Sequence, residues 1–244
     1  HQIQLDALQG IDEQKQLIDQ NTHQFVSGYP ANNVLLTGAR GTGKSSLIKA
    51  LLHQYAEKGL RLIEVEKQDL IDLPDITEQI YQRSERFILY CDDLSFEAHE
   101  LGYKALKAIL DGSIARASDN ILVYATSNRR HLMPESMSDN LDTRHIDGDI
   151  HPSESVEEKI SLSERFGLWL SFYPFDQEQY LDIVRYWLAY YGIRRMSDAV
   201  RLEALRWALA RGGRSGRIAW QFARDWAGRK KLEQSLNRKV RRSS

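Results

Sequence analysis

Gly38-Ala39-Arg40-Gly41-Thr42-Gly43-Lys44-Ser45 is the stretch whose reading decides the fold of this chain. It spells glycine, four free positions, then Gly-Lys-Ser, the pattern of a phosphate-binding P-loop. Glycines let the backbone curl until several N–H groups and a helix N-terminus point at one anion. Val34-Leu35-Leu36-Thr37 leads in as a strand, and Ser46 to Leu52 leads out with helical periodicity. The spacing predicts that Gly38, Ala39, Arg40, Gly41, Thr42, Gly43, Lys44, Ser45 and Ser46 line a nucleoside triphosphate. Lys44 would place its ammonium on the β- and γ-phosphates, and Ser45 would offer its hydroxyl to Mg²⁺.

Outward from the loop, short apolar runs alternate with amphipathic ones, the mark of parallel βαβ units. Strands are expected at 34–37, 60–65, 87–92, 121–127 and 168–173. All but 60–65 are nearly continuous apolar runs, as befits strands covered on both faces, and 60–65 alternates like an edge. Helices are expected at 12–25, 44–58, 75–83 and 99–110. Residues 134–161 are polar with little periodicity and read as a long loop. After Pro174 the strands stop. Tyr180, Ile183, Val184, Trp187, Leu188 and Tyr191 form one helical stripe, and two more helices follow. The fold class is therefore α/β, a five-stranded parallel sheet core over 1–174 followed by a small all-helical lid over 175–236. A basic tail, 237–244, is expected to be disordered. The four tryptophans beyond Pro174 are expected to fill the small helical core.

A P-loop requires an acid at the tip of a nearby strand to hold Mg²⁺. Phe87-Ile88-Leu89-Tyr90-Cys91 ends in Asp92 and Asp93. Asp92 is the candidate for the metal, and Asp93 for orienting the attacking water. A second buried run, Ile121 to Ser127, ends in Asn128, placed to bond the γ-phosphate and that water.

Composition is that of an ordinary globular protein: 244 residues, 42% hydrophobic, 27% charged, net charge −1. No run is long and apolar enough for a membrane span, and the single cysteine, Cys91, fits a reducing, cytoplasmic setting. Charge is uneven. From Arg185 onward sixteen Lys and Arg face four Asp and Glu, leaving −13 on the first 184 residues. The basic lid makes DNA a possible partner, with a solvated helix face as the plainer reading.

With these residues in place the chain resembles an AAA+ ATPase from Leu8 to about Trp226. In that resemblance Gly38–Ser45 is Walker A, Asp92-Asp93 closes Walker B, and Asn128 is sensor 1. Ser163-Glu164-Arg165-Phe166-Gly167 is similar to the segment carrying the arginine finger, which assigns that role to Arg165 and implies a homo-oligomer. Leu8, Gly10 and Ile11 resemble the stretch that cups adenine. Gly213-Arg214-Ser215-Gly216-Arg217 resembles sensor 2, with Arg217 favoured over Arg214. The phrases Asn32 to Leu36, Ala125 to His131 and Ser163 to Tyr173 resemble a family of uncharacterised bacterial proteins with predicted ATPase activity. The resemblance implies ATP/ADP and Mg²⁺ as cofactors and a remodelled macromolecular partner. It supplies no substrate.

Two departures narrow the resemblance. Asp93 stands where most AAA+ proteins carry Glu, which suggests slow, switch-like turnover. Residues 66–76 lack the aromatic-apolar-Gly pore loop of ring unfoldases, and 112–119 is too short for an inserted hairpin. Both favour the initiator and helicase-loader side of the superfamily. The alternative function is a nucleotide-dependent switch that hydrolyses negligibly and docks DNA through the basic lid. Residues 142–151 tempt one to a metal site, but their spacing is not that of a calcium loop.

Overall fold

The computed structural model describes residues 4–95, 101–112, 119–128, 144–146, 149–151 and 162–243. Its contacts divide the chain into two units, one of residues 1–5, 13–39 and 44–172, the other of 6–12, 40–43 and 173–244.

The first unit is built on a five-stranded parallel sheet. In chain order its elements are α1 (Asp12–Val26), β1 (Val34–Gly38), α2 (Lys44–Tyr55), β2 (Leu60–Glu64), α3 (Leu73–Ile80), β3 (Arg86–Cys91), α4 (Leu101–Leu110), β4 (Ile121–Ser127), β5 (Arg144–Ile146), β6 (Asp149–His151) and β7 (Leu168–Phe172). The strand order is β2-β3-β4-β1-β7. β3 and β4 are covered on both faces, so nearly every residue in them is buried. β2 lies at one edge and alternates, as expected. β7 lies at the other and also alternates, although its sequence reads as one apolar run. The cause is Trp169, large and apolar yet 38% exposed.

Asparagines bracket the entrance to β1. The Asn33 Oδ1 accepts from Val123 N–H at 2.8 Å, and Asn21 and Asn32 exchange side-chain and main-chain bonds at 2.9 Å each. A β-carbon on Gly167 would lie 2.3 Å from Asn32 Oδ1, so any larger residue entering β7 would require the Asn32 side chain to shift. Tyr124, fully buried, is held by Thr22 at 2.8 Å and by Asn21 at 3.0 Å. Inside the stretch expected to be loop, β5 and β6 pair antiparallel.

The second unit carries α5 (Gln177–Tyr190), α6 (Asp198–Ala210) and α7 (Gly216–Ser243). Asp176 caps α5 reciprocally: its carboxylate accepts Gln179 N–H at 2.8 Å, and the Gln179 side chain accepts Asp176 N–H at 3.0 Å. Ser197 and Ser215 cap the next two helices. The core differs from expectation. It is packed by Tyr180, Leu181, Val184, Leu188, Phe222 and a run of alanines (Ala204, Ala208, Ala219, Ala223, Ala227). None of Trp187, Trp207, Trp220 and Trp226 is fully buried; helices this close leave room for alanine, and the indoles rim the core. The tail expected to be disordered continues α7 to Ser243. Among the described residues no helix is long and apolar enough to cross a membrane.

Candidate functional site

β1 delivers the chain to the P-loop through Gly38, whose φ of +124° belongs to glycine. Beyond the loop α2 opens on Lys44, only 6% exposed. The Lys44 Nζ donates to Gly38 O at 2.7 Å, Ala39 O at 2.8 Å and Asn128 Oδ1 at 3.1 Å. An ammonium has three protons, and each has an acceptor here. A phosphate anion is a stronger partner than these neutral oxygens.

The carboxylates behind it are organised by β3 and β4. Asp92 Oδ1 accepts from Ser45 Oγ at 2.8 Å, Thr126 Oγ1 at 2.6 Å and Asp93 N–H at 3.1 Å. Burial alone would raise the Asp92 pKa, but the bonded hydroxyls of Thr126 and Ser45, the Asp93 N–H and the Tyr90 hydroxyl, which lies close without a well-formed bond, outweigh it and hold the group below its ordinary value. Asp93 sits at φ +51°, a left-handed turn, with its N–H also donating to Thr126 Oγ1 at 2.9 Å. Its carboxylate receives the Asn128 Nδ2–H. Lys44, Asn128, Asp93, Thr126, Asp92 and Ser45 thus form one continuous network at the C-terminal ends of the strands. The structure brings together the five residues predicted for this face.

Two residues here carried no expectation from the sequence: Thr126, a member of the network, and Tyr90, which faces it. The signal was strand register: Cys91 pairs with Ala125, which sets Thr126 beside Asp92. Tyr90 precedes Asp92 by two and therefore shares its side of the strand.

Arg165 pairs with Asp111 through its Nε, both side chains being partly exposed. Among the described residues this arginine is held in an intrachain ion pair.

In the second unit, Gly41 O accepts Gly216 N–H at 2.9 Å. A β-carbon on Gly41 would lie 2.8 Å from Ser215 Cβ and 4.0 Å from Arg217 Cβ. One on Gly43 would lie 3.5 Å from Ile11 Cδ1 and 3.8 Å from Leu8 Cδ2. The pair expected at the adenine, Leu8 and Ile11, thus packs beside this glycine, with Ile11 buried. Arg40 is exposed, Thr42 buried and Ser46 half-buried. Among the described residues no three His, Cys, Asp or Glu cluster as a metal site. Of the stretch 142–151, residues 142–143 and 147–148 lie outside those described, as do 134–143 and 152–161 of the expected loop and 113–118.

Solved structures share this fold. The Thermotoga maritima RuvB Holliday junction branch migration motor matches 91% of this chain at 16% identity with a TM-score of 0.53. AMPPCP-bound DnaA from Aquifex aeolicus matches 93% at 17% identity and TM-score 0.53. The replication initiator DnaA bound to AMPPCP and single-stranded DNA matches 93% at 16% identity and TM-score 0.53. The chain spans 63% to 65% of the length of these proteins. At such identities the likeness establishes the fold, which is that of AAA+ proteins. No curated protein matches the sequence significantly. A family profile matches residues 1–230, nearly the whole chain. The protein belongs to the family described as "Protein of unknown function (DUF815)", and its fold is AAA+.

Proposed function

We propose that this chain binds Mg-ATP and hydrolyses it to ADP and phosphate to drive assembly or remodelling of a macromolecular partner. The observation that carries the reading is the network joining Lys44, Asn128, Asp93, Asp92 and Ser45 at the mouth of the P-loop. Ser45 and Asp92 form an all-oxygen donor pair 2.8 Å apart, chemistry that suits Mg²⁺, which takes one or two protein oxygens and keeps its waters. When bound, Mg²⁺ offsets the charge building on the β- and γ-oxygens. Lys44 exchanges its carbonyl partners for phosphate oxygens. Asp93, steered by the Asn128 amide, orients the attacking water, and Asn128 senses the γ-phosphate. Leu8 and Ile11 hold the adenine, and Arg217 fills the sensor 2 role. Arg165 leaves Asp111 to complete the site of a neighbouring copy, so hydrolysis depends on oligomerisation in the cytoplasm. The shorter acid at Asp93 makes turnover slow.

The test is ATP binding and turnover by wild type and Lys44→Ala across protein concentration. Lys44→Ala abolishes binding, and wild-type turnover per chain rises with assembly. Unchanged binding by Lys44→Ala would sink the reading.

A second reading rests on α7. Arg224 stacks 5.3 Å over Trp220, and Arg229 and Lys230 lie 5.1 and 5.8 Å from the Trp226 ring. Cations alternating with aromatics suit a nucleic-acid backbone and its bases. In this reading nucleotide sets a switch that docks DNA with negligible hydrolysis. Charge reversal of Arg224, Arg229 and Lys230 abolishes salt-dependent DNA binding; absence of binding at low salt disposes of it.

A further inference from the structure

Tyr90 is wholly buried in β3. Its hydroxyl faces the side chains of Ser45, Asp92 and Thr126. Yet it forms no well-made hydrogen bond, a property it shares with only Ser163 Oγ and Trp207 Nε1 among the described buried side chains. A buried hydroxyl without a partner is costly, whereas a phenylalanine of the same shape is not. A phenol here is therefore a worse choice than a phenyl ring unless some state of the site uses its proton.

Asp92 supplies the use. Its Oδ1 already receives three donors, from Ser45, Thr126 and the Asp93 main chain. An oxygen with two lone pairs is then oversubscribed. Loading the site asks Ser45 Oγ to face a cation and Asp92 to face that cation's water. Each demand redistributes the three donors, and Tyr90 is the uncommitted one beside them.

We propose that Tyr90 is a positioning residue for the metal site, its hydroxyl donating to the Asp92 carboxylate in the loaded state and fixing the orientation in which Asp92 serves Mg²⁺. The inference rests on the Mg-nucleotide reading above. It gives Tyr90 a cost in the empty site and a benefit in the loaded one, and these opposite signs make it testable. A packing role has one sign in both states.

The experiment compares wild type with Tyr90→Phe in two measurements. Thermal melts are taken without nucleotide. AMPPCP affinity is then measured in EDTA and through a Mg²⁺ titration. Tyr90→Phe is expected to melt at the wild-type temperature or higher without nucleotide and to bind AMPPCP in EDTA as wild type does. It should require about tenfold more Mg²⁺ to reach the tight-binding state, as outer-sphere partners of a metal do. An unchanged Mg²⁺ midpoint overturns the proposal, and so does an equal loss of affinity with and without Mg²⁺. If wild-type AMPPCP binding itself ignores Mg²⁺, the Mg-nucleotide reading fails and takes this inference with it.

Discussion

Gly38 and Phe172 touch where no side chain could fit: a β-carbon on Gly38 would lie 1.9 Å from the Phe172 carbonyl oxygen. The contact follows from register, since the two residues pair across β1 and β7, and the Ala39 N–H donates to that same carbonyl at 3.2 Å. The last residue of the P-loop strand is thereby pressed onto the edge strand. Gly38→Ala must both strain a φ of +124° and push β7 away. It should lower stability by about 3 kcal/mol in urea unfolding. Gly59→Ala is the control, with φ +89° but nothing within 4 Å; it should cost about 1 kcal/mol. Equal losses would show that the Phe172 contact contributes nothing.

Asp92 gives the site a pH signature. Its folded pKa is held below the unfolded value, so its ionised form contributes stability that is complete above about pH 4 and is lost as acid takes the pH through the folded pKa. Asp92→Asn removes that contribution. The variant should be less stable at neutral pH, and its melting temperature should fall less steeply below about pH 4. Parallel wild-type and variant curves in acid would contradict the assignment.

The Arg165–Asp111 pair separates structure from chemistry. Both side chains are partly exposed, so the pair contributes less than about 1 kcal/mol once solvent screening is counted. Asp111→Ala should therefore leave unfolding nearly unchanged. Arg165→Ala should keep ATP affinity within a few-fold while assembly-dependent hydrolysis falls about a thousandfold or more. Full turnover by a dilute Arg165→Ala monomer removes the finger.

Cys91 should be chemically silent. Burial pushes its thiol up to about 12, so almost no thiolate exists at pH 8. Alkylation by iodoacetamide should proceed only through unfolding and should accelerate with urea along the unfolding transition. Fast labelling of the native protein would mean that β3 opens locally.

The P-loop, the acids ending β3 and the Tyr180 stripe were legible because each is a local pattern whose spacing matches one element. Asn128 was legible because it ends a buried strand. Features set by neighbours distant in the chain were not. Thr126 reaches Asp92 only through the register of β3 on β4. Asp111 as the partner of Arg165 depends on how the end of α4 meets the segment before β7. Trp169 counts as apolar in any hydropathy scan, but the edge position leaves it exposed, with its Nε1 donating to Thr37 Oγ1 at 2.9 Å. The tryptophans of the second unit misled for a related reason: alanine-lined packing between helices has no place for an indole.

The place of β1 in the sheet also has a consequence for how the protein is made. Both of its neighbours come much later in the chain, β4 at 121–127 and β7 at 168–172. Pairings this distant are slow to form, because the loops between them must close first. A nascent chain emerging from the ribosome holds the complete Gly38–Ser45 signature long before it holds the strands that flank β1. The motif that is easiest to read in the gene is thus among the last features to become rigid in the polypeptide, and no fragment ending before Leu168 can close the second edge of the strand that carries it.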